Sequence, residues 1–242
     1  MTLKMTNIYY PSYNRAGKVR AYDYFGCGNI VVPEAQEEEY RKHYGDAVIT
    51  VPDHKDGSVA KKKNAILELI QEREANGFGF IIDDDLNKIR RKKEGIDLTG
   101  EEALELLEKM QIMAQDMGAT YGGFDYSEDN MKLKDMAPFS FNKPVYGLIL
   151  INAGDDIKYD ERFRVNEDVE MWVQKMNANR MIIKDNQYAA IFHGDDGGAG
   201  SVIGYNRYHQ RAYATMLNTK WGKKIMEWKG RSFRFTGLIK GA

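Results

Sequence analysis

Three consecutive aspartates, Asp83, Asp84 and Asp85, follow the apolar segment Phe78–Ile82, which is short enough to predict a buried strand. Ligands of α/β proteins bind at the carboxyl ends of such strands. Carboxylates packed together without a cation would repel and raise one another's pKa, and Mg²⁺ or Mn²⁺ shared with a diphosphate removes that conflict. We therefore favour a metal site over a solvated acidic loop. The side chains of Asp83 and Asp85 would point the same way if the backbone stays extended after the strand.

A second pair of carboxylates, Glu167 and Asp168, begins an amphipathic segment that is predicted to be a helix. Carboxylates at a helix start are favourable with the helix dipole, whatever the function of the protein. In an active site, one of them would be a general base that takes a proton from an attacking hydroxyl. The residues alone leave both interpretations open.

His193 ends a predicted strand over residues 189–192 and precedes a glycine-rich stretch. The chain has four histidines, and one at a strand end is a candidate metal ligand. The alternative is an ordinary loop histidine.

The loop over residues 11–18 follows the predicted first strand, 7–10, and carries Ser12, Tyr13 and Arg15. Their hydroxyl and guanidinium groups could hold a nucleotide, although the loop is neither a Walker loop nor a dinucleotide fingerprint. Gly26-Cys27-Gly28 lacks a third spaced glycine and runs into an apolar segment, so it is predicted to be a turn.

The elements that must position these residues alternate between strands and helices, which predicts an α/β fold with crossover connections. The clearest helix begins at Thr99, an N-cap with Glu102 three residues later, and ends at Gly118. Its apolar stripe, which includes Met110, Met113 and Met117, is predicted to be core and not a cofactor site. Strands are predicted at 7–10, 47–51, 78–82, 145–151, 181–183 and 189–192, and helices at 59–75, 99–117 and 168–176.

Taken in order, these segments resemble the GT-A family of nucleotide-sugar glycosyltransferases. The family pattern has a nucleotide-binding loop after the first strand, a DxD motif, a glycine-bearing acceptor loop, an xED motif and a late histidine. The resemblance spans about residues 7 to 195 and implies a Rossmann-like, mostly parallel sheet flanked by helices. The corresponding stretches are 12–15, 83–85, 143–147, 166–168 and His193, and Lys63-Asn64 is similar to the family's nucleotide-contacting segment.

The resemblance also implies roles for these residues. Asp85, the most direct ligand, would hold Mn²⁺ or Mg²⁺ together with Asp83 and His193, and the ion would neutralise the departing diphosphate. Asp168 would be the general base of an inverting transfer, with Glu167 assisting. The nucleotide of the donor, most often UDP in this family, would be held by Ser12, Tyr13, Arg15, Asn64 and Asp84. The family's glycine-rich acceptor loop is represented only by Gly147.

The composition fits a folded globular protein. The 242 residues are 43% hydrophobic and 29% charged with a formal net charge of -1, which argues against a disordered or a histone-like chain. No apolar run approaches the ~20 residues of a membrane span, and the start has no signal-peptide core. The single cysteine excludes an internal disulfide framework and a Cys-based zinc site. We expect a cytoplasmic protein.

The net charge hides an uneven distribution. Residues 202–242 carry nine basic side chains against one acidic, a net +8, which leaves -9 for residues 1–201. Aromatic side chains interleave with the cations, as in surfaces that bind single-stranded nucleic acids; an amphipathic terminal helix with core aromatics would look similar. We expect a catalytic domain over 1–201 with the segment 202–242 packed on it. The candidate nucleic-acid contacts are Arg207, Arg211, Lys220, Lys223, Lys224, Lys229, Arg231 and Arg234.

Within the GT-A family, the chain resembles the TET-associated glycosyltransferases of bacteriophages, which glucosylate 5-hydroxymethylcytosine in DNA. The resemblance implies a UDP-sugar donor, a flipped base as acceptor and the cytoplasm of a bacterial host. A glycan or protein acceptor is the nearest alternative. A nucleotidyltransferase or a non-catalytic nucleic-acid-binding domain would be a different class of protein.

Overall fold

The computed structural model describes residues 7–74, 77–126, 137–193, 207–222, 225–229 and 232–235. Within them, the strands are β1 Ile8–Pro11, β2 Asn29–Pro33, β3 Val48–Val51, β4 Phe78–Ile82, β5 Leu86–Arg91, β6 Ile96–Asp97, β7 Tyr121–Asp125, β8 Phe139–Ser140, β9 Leu148–Asn152, β10 Ile183–Phe192, β11 Met226–Lys229 and β12 Ser232–Phe235. The α-helices are α1 Arg20–Phe25, α2 Glu37–Tyr44, α3 Val59–Arg73, α4 Gly100–Met117, α5 Glu167–Asn179 and α6 Arg207–Lys220.

Most of the strands form one mixed sheet in the order β3-β2-β1-β4-β9-β7-β10-β5-β6, with β8 paired to β10. The half that contains β3, β2, β1 and β4 is parallel throughout. β9 is antiparallel to both β4 and β7, and β10 is parallel to β7 but antiparallel to β5. The predicted α/β class, with a Rossmann-like parallel half and flanking helices, is confirmed.

Both faces of the sheet are covered by helices, which is why its strands are apolar on both sides. Successive side chains of a strand point to opposite faces. Ile8 and Tyr10 accordingly pack in the cluster that includes the buried residues of α1, α2 and α4, whereas Tyr9 packs in the cluster that includes α3 and α5. Packing in these two apolar clusters fixes the helices that carry site residues relative to the sheet.

Helix α4 has the start and the end that the sequence predicts. The Thr99 hydroxyl accepts a hydrogen bond from the Glu102 backbone N–H, and the Glu102 side chain accepts one from the Thr99 backbone, so the capping box is complete. Gly118 ends the helix in the left-handed conformation at φ 65°. Met110 is buried in the core as predicted, while Met117 remains exposed.

Several elements, among them α1, β5 and β7, were not predicted, and two further differences have a clear physical reason. The strands expected at 181–183 and 189–192 are one strand, β10, whose pairing with β7 shifts between Asp185 and Ala189. Helix α2 was not predicted, because its sequence EEEYRKHY buries only Tyr40 and so has no apolar stripe to recognise.

The part of the C-terminal segment that the structure describes packs on the rest of the chain. Ala214 and Leu217 of α6, with Ile225 and Met226, lie in the same apolar cluster as Trp172 of α5. Strands β11 and β12 form a separate antiparallel pair. Among the described residues, the search for an apolar helix that could cross a membrane finds none.

Candidate active site

The predicted site residues gather at one edge of the sheet, where β1 and β4 end and β9 begins. The pairing of Ile82 with Leu148 brings the turn after β4 next to Gly147, the residue before β9. The start of α5 reaches the same place, because Gly147 N–H lies 3.5 Å from Asp168 Oδ2. This is the edge at which ligands bind in α/β sheets.

A buried lysine lies at the centre of this site. Lys63, in the second turn of α3, has 1% of its surface exposed, and its Nζ lies 2.7 Å from Asp168 Oδ1, 3.3 Å from Glu167 Oε1 and 3.7 Å from Asp83 Oδ1. Burial alone would lower the pKa of Lys63, but the carboxylates of Asp168, Asp83 and Glu167 outweigh it and hold that pKa well above its usual value. Lys63 therefore lies between the two acidic motifs in surroundings that favour its charged form.

Three carboxylates share this one ammonium group, so the centre keeps an excess of negative charge. Burial raises the pKa of Asp83 to about 7 in spite of Lys63, and the nearby carboxylates of Asp168, Asp85 and Glu167 contribute to the rise. Burial and Asp168 likewise raise the pKa of Glu167. A further cation at the site would relieve this repulsion.

Gly147 connects the two acidic motifs through its backbone. Its carbonyl accepts a hydrogen bond from Asp83 N–H at 2.7 Å, and its own N–H points at Asp168 Oδ2. It has φ of 64°, and an added Cβ would lie 2.5 Å from Cζ of Phe192. Both the conformation and the available space require glycine here.

The middle aspartate of the triplet faces the loop after β1. Asp84 is 8% exposed, accepts a hydrogen bond from the Ser12 hydroxyl at 2.6 Å and forms an ion pair with Arg15 Nη1 at 2.5 Å. Burial raises the pKa of Asp84 although these two partners oppose the rise. The Tyr40 hydroxyl lies 2.9 Å from Ser12 Oγ and accepts a hydrogen bond from Arg15 N–H. The contacts of Ser12 and Arg15 with Asp84 and Tyr40 thus hold the loop in one position.

Lys62 of α3 also holds this loop, and Tyr13 is the loop's exposed aromatic residue. Lys62 donates a hydrogen bond to the Ser12 carbonyl at 2.5 Å and forms an ion pair with Asp56 at 3.1 Å. Its ammonium group lies 5.2 Å from the centre of the Tyr13 ring, which is exposed. The rigid loop therefore presents Tyr13 to solvent.

Asn64 makes its contacts within the chain. Its amide donates a hydrogen bond to the Tyr159 carbonyl and accepts one from Tyr159 N–H, at 2.9 and 2.8 Å. It also donates one to Glu161 at 3.1 Å. Asn64 thereby fixes the segment before α5 to α3.

Asp85 and His193 lie side by side, since the His193 backbone N–H donates a hydrogen bond to the Asp85 carbonyl at 2.9 Å. The backbone over 83–85 is a turn and not an extension of β4, because Leu86 N–H bonds to the Asp83 carbonyl. Among the described residues, no group of three or more His, Cys, Asp or Glu side chains is arranged to hold a metal ion.

The basic residues of the C-terminal segment differ in their surroundings. Arg211 is exposed on α6, whereas Lys220 forms ion pairs with Asp160 at 2.7 Å and Glu170 at 2.5 Å. The backbones of Arg207, Lys229 and Arg234 lie in α6, β11 and β12, and their side chains lie outside the described part. Lys223, Lys224 and Arg231 lie outside the described residues.

Sequence reasoning did not assign the central role to Lys63 or the loop-fixing role to Lys62 and Tyr40. The two lysines lie next to Asn64 on a helix that precedes the DxD strand. The similarity of Lys63-Asn64 to the family's nucleotide-contacting segment points to this helix but implies contact with the nucleotide, not with the carboxylates. Tyr40 comes from the helix that lacks an apolar stripe.

The site combines a parallel half of the sheet, a loop held in place after β1, an aspartate turn after β4 and paired carboxylates at the start of α5. The chain is a glycosyltransferase, as its family match shows. The chain belongs to the TET-associated glycosyltransferase family, whose family model matches residues 6–193. The match includes every element of the site described above. It ends before the basic C-terminal segment.

Two solved structures are similar in part. The first is S. aureus TarS, residues 1–349 in complex with UDP, with 15% identity and a TM-score of 0.47 over 78% of this chain and 60% of that chain. The second is A197 from STIV, with 13% identity and a TM-score of 0.45 over 79% of this chain and 87% of that chain. A search of the curated proteins finds no match.

Proposed function

We propose that this enzyme transfers a hexose, glucose in the first instance, from a UDP-sugar to the hydroxymethyl group of 5-hydroxymethylcytosine in DNA. The observation that carries the proposal is the contact of Lys63 with Asp83 at 3.7 Å and with Asp168 at 2.7 Å. The Lys63 ammonium group thereby holds Asp83, which follows β4, close to Asp168, the candidate base. A transfer reaction depends on such fixed positions of its reacting groups.

The donor nucleotide binds at the loop after β1. Tyr13 and Arg15 make contact with the nucleotide, because the Tyr13 ring is exposed and the Arg15 guanidinium is held by Asp84 at 2.5 Å. Ser12 and Asn64, whose polar groups are bonded within the chain, support that surface. Asp84 holds the loop at Ser12 and at Arg15.

A divalent metal, Mn²⁺ or Mg²⁺, binds with the donor at Asp83, Asp85 and His193. The sharing of one Lys63 ammonium group by three carboxylates and the adjacency of Asp85 and His193 support this site. A preformed cluster of three side chains is not needed, because Mg²⁺ is held by one or two carboxylates and the substrate phosphates. When bound, the ion supplies Lewis-acid neutralisation of the departing diphosphate.

The transfer is a single displacement with inversion. The acceptor oxygen forms a bond to the anomeric carbon while the bond from that carbon to the UDP oxygen breaks, and UDP leaves with the electron pair. Asp168 takes the proton of the acceptor hydroxyl at Oδ2, since Oδ1 is held by Lys63. Glu167, 3.3 Å from the same ammonium group, assists by keeping Lys63 in place.

DNA is the acceptor that the family and the charge distribution favour. The net +8 of residues 202–242 would contact phosphates, while the target base turns out of the stack so that its hydroxymethyl group reaches the site. Both arguments come from the sequence and the family match.

The experiment is mass spectrometry of 5-hydroxymethylcytosine DNA incubated with a panel of UDP-sugars and Mn²⁺, beside unmodified DNA and oligosaccharides. We expect a mass gain of one hexose on the hydroxymethylated DNA only, loss of that gain with EDTA, and its loss in Asp168→Asn. Transfer to oligosaccharides alone would indicate that the acceptor is a glycan and not DNA. Release of pyrophosphate in place of UDP would indicate a nucleotidyltransferase.

A further inference from the structure

Tyr126 is a large aromatic residue left exposed beside the catalytic carboxylates. It follows the last residue of β7, and 57% of its surface is accessible to solvent. Tyrosine is intermediate between buried and exposed residues on average, so the exposure alone is not unusual. The position of this ring at the ligand-binding edge of the sheet makes it accessible to a ligand there.

The order of the strands places Tyr126 on the opposite side of the carboxylates from the donor loop. Along the sheet, β1 is followed by β4, β9 and β7. Ser12 comes after β1, Asp83 after β4, Gly147 before β9 and Tyr126 after β7. With the donor at the β1 end, the ring lies on the acceptor side.

The ring is held in a defined orientation. Its centre lies 5.1 Å from that of the Tyr146 ring, at an interplanar angle of 87°, and Lys184 Nζ lies 5.8 Å from its centre. Lys184 is itself anchored by Asp125 Oδ1 at 2.9 Å. A ring that is already oriented loses little freedom when it binds a ligand.

Tyr146 connects this ring to the candidate base. It directly precedes Gly147, whose N–H lies 3.5 Å from Asp168 Oδ2. Burial, Tyr126 and the charge of Asp168 together raise the pKa of the Tyr146 hydroxyl, which agrees with this proximity. The Tyr126 ring is therefore linked to Asp168 through its contact with Tyr146.

We infer that Tyr126 is the platform on which the acceptor base stacks, so that the base presents its hydroxymethyl group to Asp168. The inference rests on the proposed function, because it takes the acceptor to be a nucleic-acid base. A base turned out of the duplex loses its stacking partners, and an aromatic side chain replaces them. The tyrosine face accepts any base, so selection for the hydroxymethyl group remains with the carboxylates.

The test compares Tyr126→Leu, which keeps apolar bulk but removes the flat ring, with Tyr126→Phe, which keeps the ring and removes the hydroxyl. The acceptor is a double-stranded oligonucleotide with one 5-hydroxymethylcytosine. The KM for this acceptor, the KM for the UDP-sugar and the release of UDP without acceptor are measured for each variant. We expect Tyr126→Leu to raise the acceptor KM by about 5- to 100-fold. The two donor measurements stay unchanged, and Tyr126→Phe behaves as the parent enzyme.

Two outcomes overturn the inference while the proposed function stands: an unchanged acceptor KM in Tyr126→Leu, or an equal rise of the donor KM, which would indicate a general structural effect. A loss in Tyr126→Phe as large as in Tyr126→Leu would assign the effect to the hydroxyl and also overturn stacking. If the parent enzyme releases UDP but does not modify the oligonucleotide with any UDP-sugar, the proposed function fails and the inference fails with it.

Discussion

Lys63 Nζ lies 2.7 Å from Asp168 Oδ1, so a lysine of α3 holds the first turn of α5, and the buried residues of both helices pack in the same apolar cluster. The same ammonium group lies 3.7 Å from Asp83. Because removal of one partner of a buried ion pair leaves an uncompensated charge, this contact fixes the candidate base relative to the donor-side aspartate.

Replacing Lys63 by methionine keeps the length of the side chain and removes its charge. We expect the free energy of unfolding to fall by about 3 kcal/mol, because three carboxylates lose their cation. Sugar transfer should fall about 100-fold or more as the carboxylates move apart. Chemical denaturation and initial rates of transfer measure the two effects.

The matched control is Lys61→Met, on the same helix but outside the acidic cluster. A second control, Lys63→Met combined with Glu167→Gln, removes one cation and one anion together and should recover part of the stability without recovering the rate. Normal transfer by Lys63→Met would show that the cation does not position the site.

Gly147→Ala tests the backbone link between Asp83 and Asp168. The positive φ costs an alanine about 1–2 kcal/mol, and the Cβ at 2.5 Å from the Phe192 ring adds about 1–3 kcal/mol of overpacking. Gly118→Ala is the control, since Gly118 has φ of 65° but no atom within 4 Å of an added Cβ. We expect a larger loss of stability in Gly147→Ala by thermal unfolding, with a loss of transfer that Gly118→Ala does not share. Equal effects would contradict a special role of Gly147.

Asp84→Asn tests the support of the donor loop. It removes the charge that holds Arg15 at 2.5 Å, and a hydrogen bond to a charged group contributes about 1.5–3 kcal/mol. We expect the KM for the UDP-sugar to rise by about tenfold or more, measured with the acceptor at saturation. Asp97→Asn, which breaks an exposed pair with Lys88 and Arg90, should leave that KM unchanged. A rise in both variants would argue against a specific role.

Local sequence signals predict some features of this structure but not the central contact of the site. Helix α4 was predicted to the residue at both ends, because Thr99, Glu102 and Gly118 carry local signals that act within a few residues. The aspartate turn was also evident, since it follows an apolar strand. The contact of Lys63 with Asp168 joins residues 105 positions apart and depends on how α3 and α5 pack on the sheet. No local pattern encodes that distance.

Asp185 provides a pH dependence of stability. It is 5% exposed, and burial raises its pKa from 3.8 to about 6 although hydrogen bonds from Gln187 oppose the rise. The folded state therefore binds this proton more tightly than the unfolded state. The stability it contributes is fully present below pH ~4 and is lost as the pH rises through about 6.

Asp185→Asn keeps the oxygen that accepts the Gln187 N–H and cannot ionise. The variant should gain up to about 3 kcal/mol relative to the parent protein between pH 4 and pH 7, measured by denaturation across that range. Asp116→Asn, an exposed substitution on α4, should show no such gain. A difference that stays constant with pH would rule out ionisation of Asp185 as the cause.

The C-terminal lysines provide the test of DNA binding. Lys223→Ala combined with Lys224→Ala should weaken DNA binding and reduce the slope of log K against log salt by about 0.9 for each lost phosphate contact, with UDP release in the absence of acceptor unchanged. Lys220→Ala is the contrast. It breaks ion pairs with Asp160 and the fully buried Glu170, so we expect a loss of stability of about 3 kcal/mol and a smaller change in the salt slope. An unchanged slope in the double variant would show that these two lysines do not contact DNA.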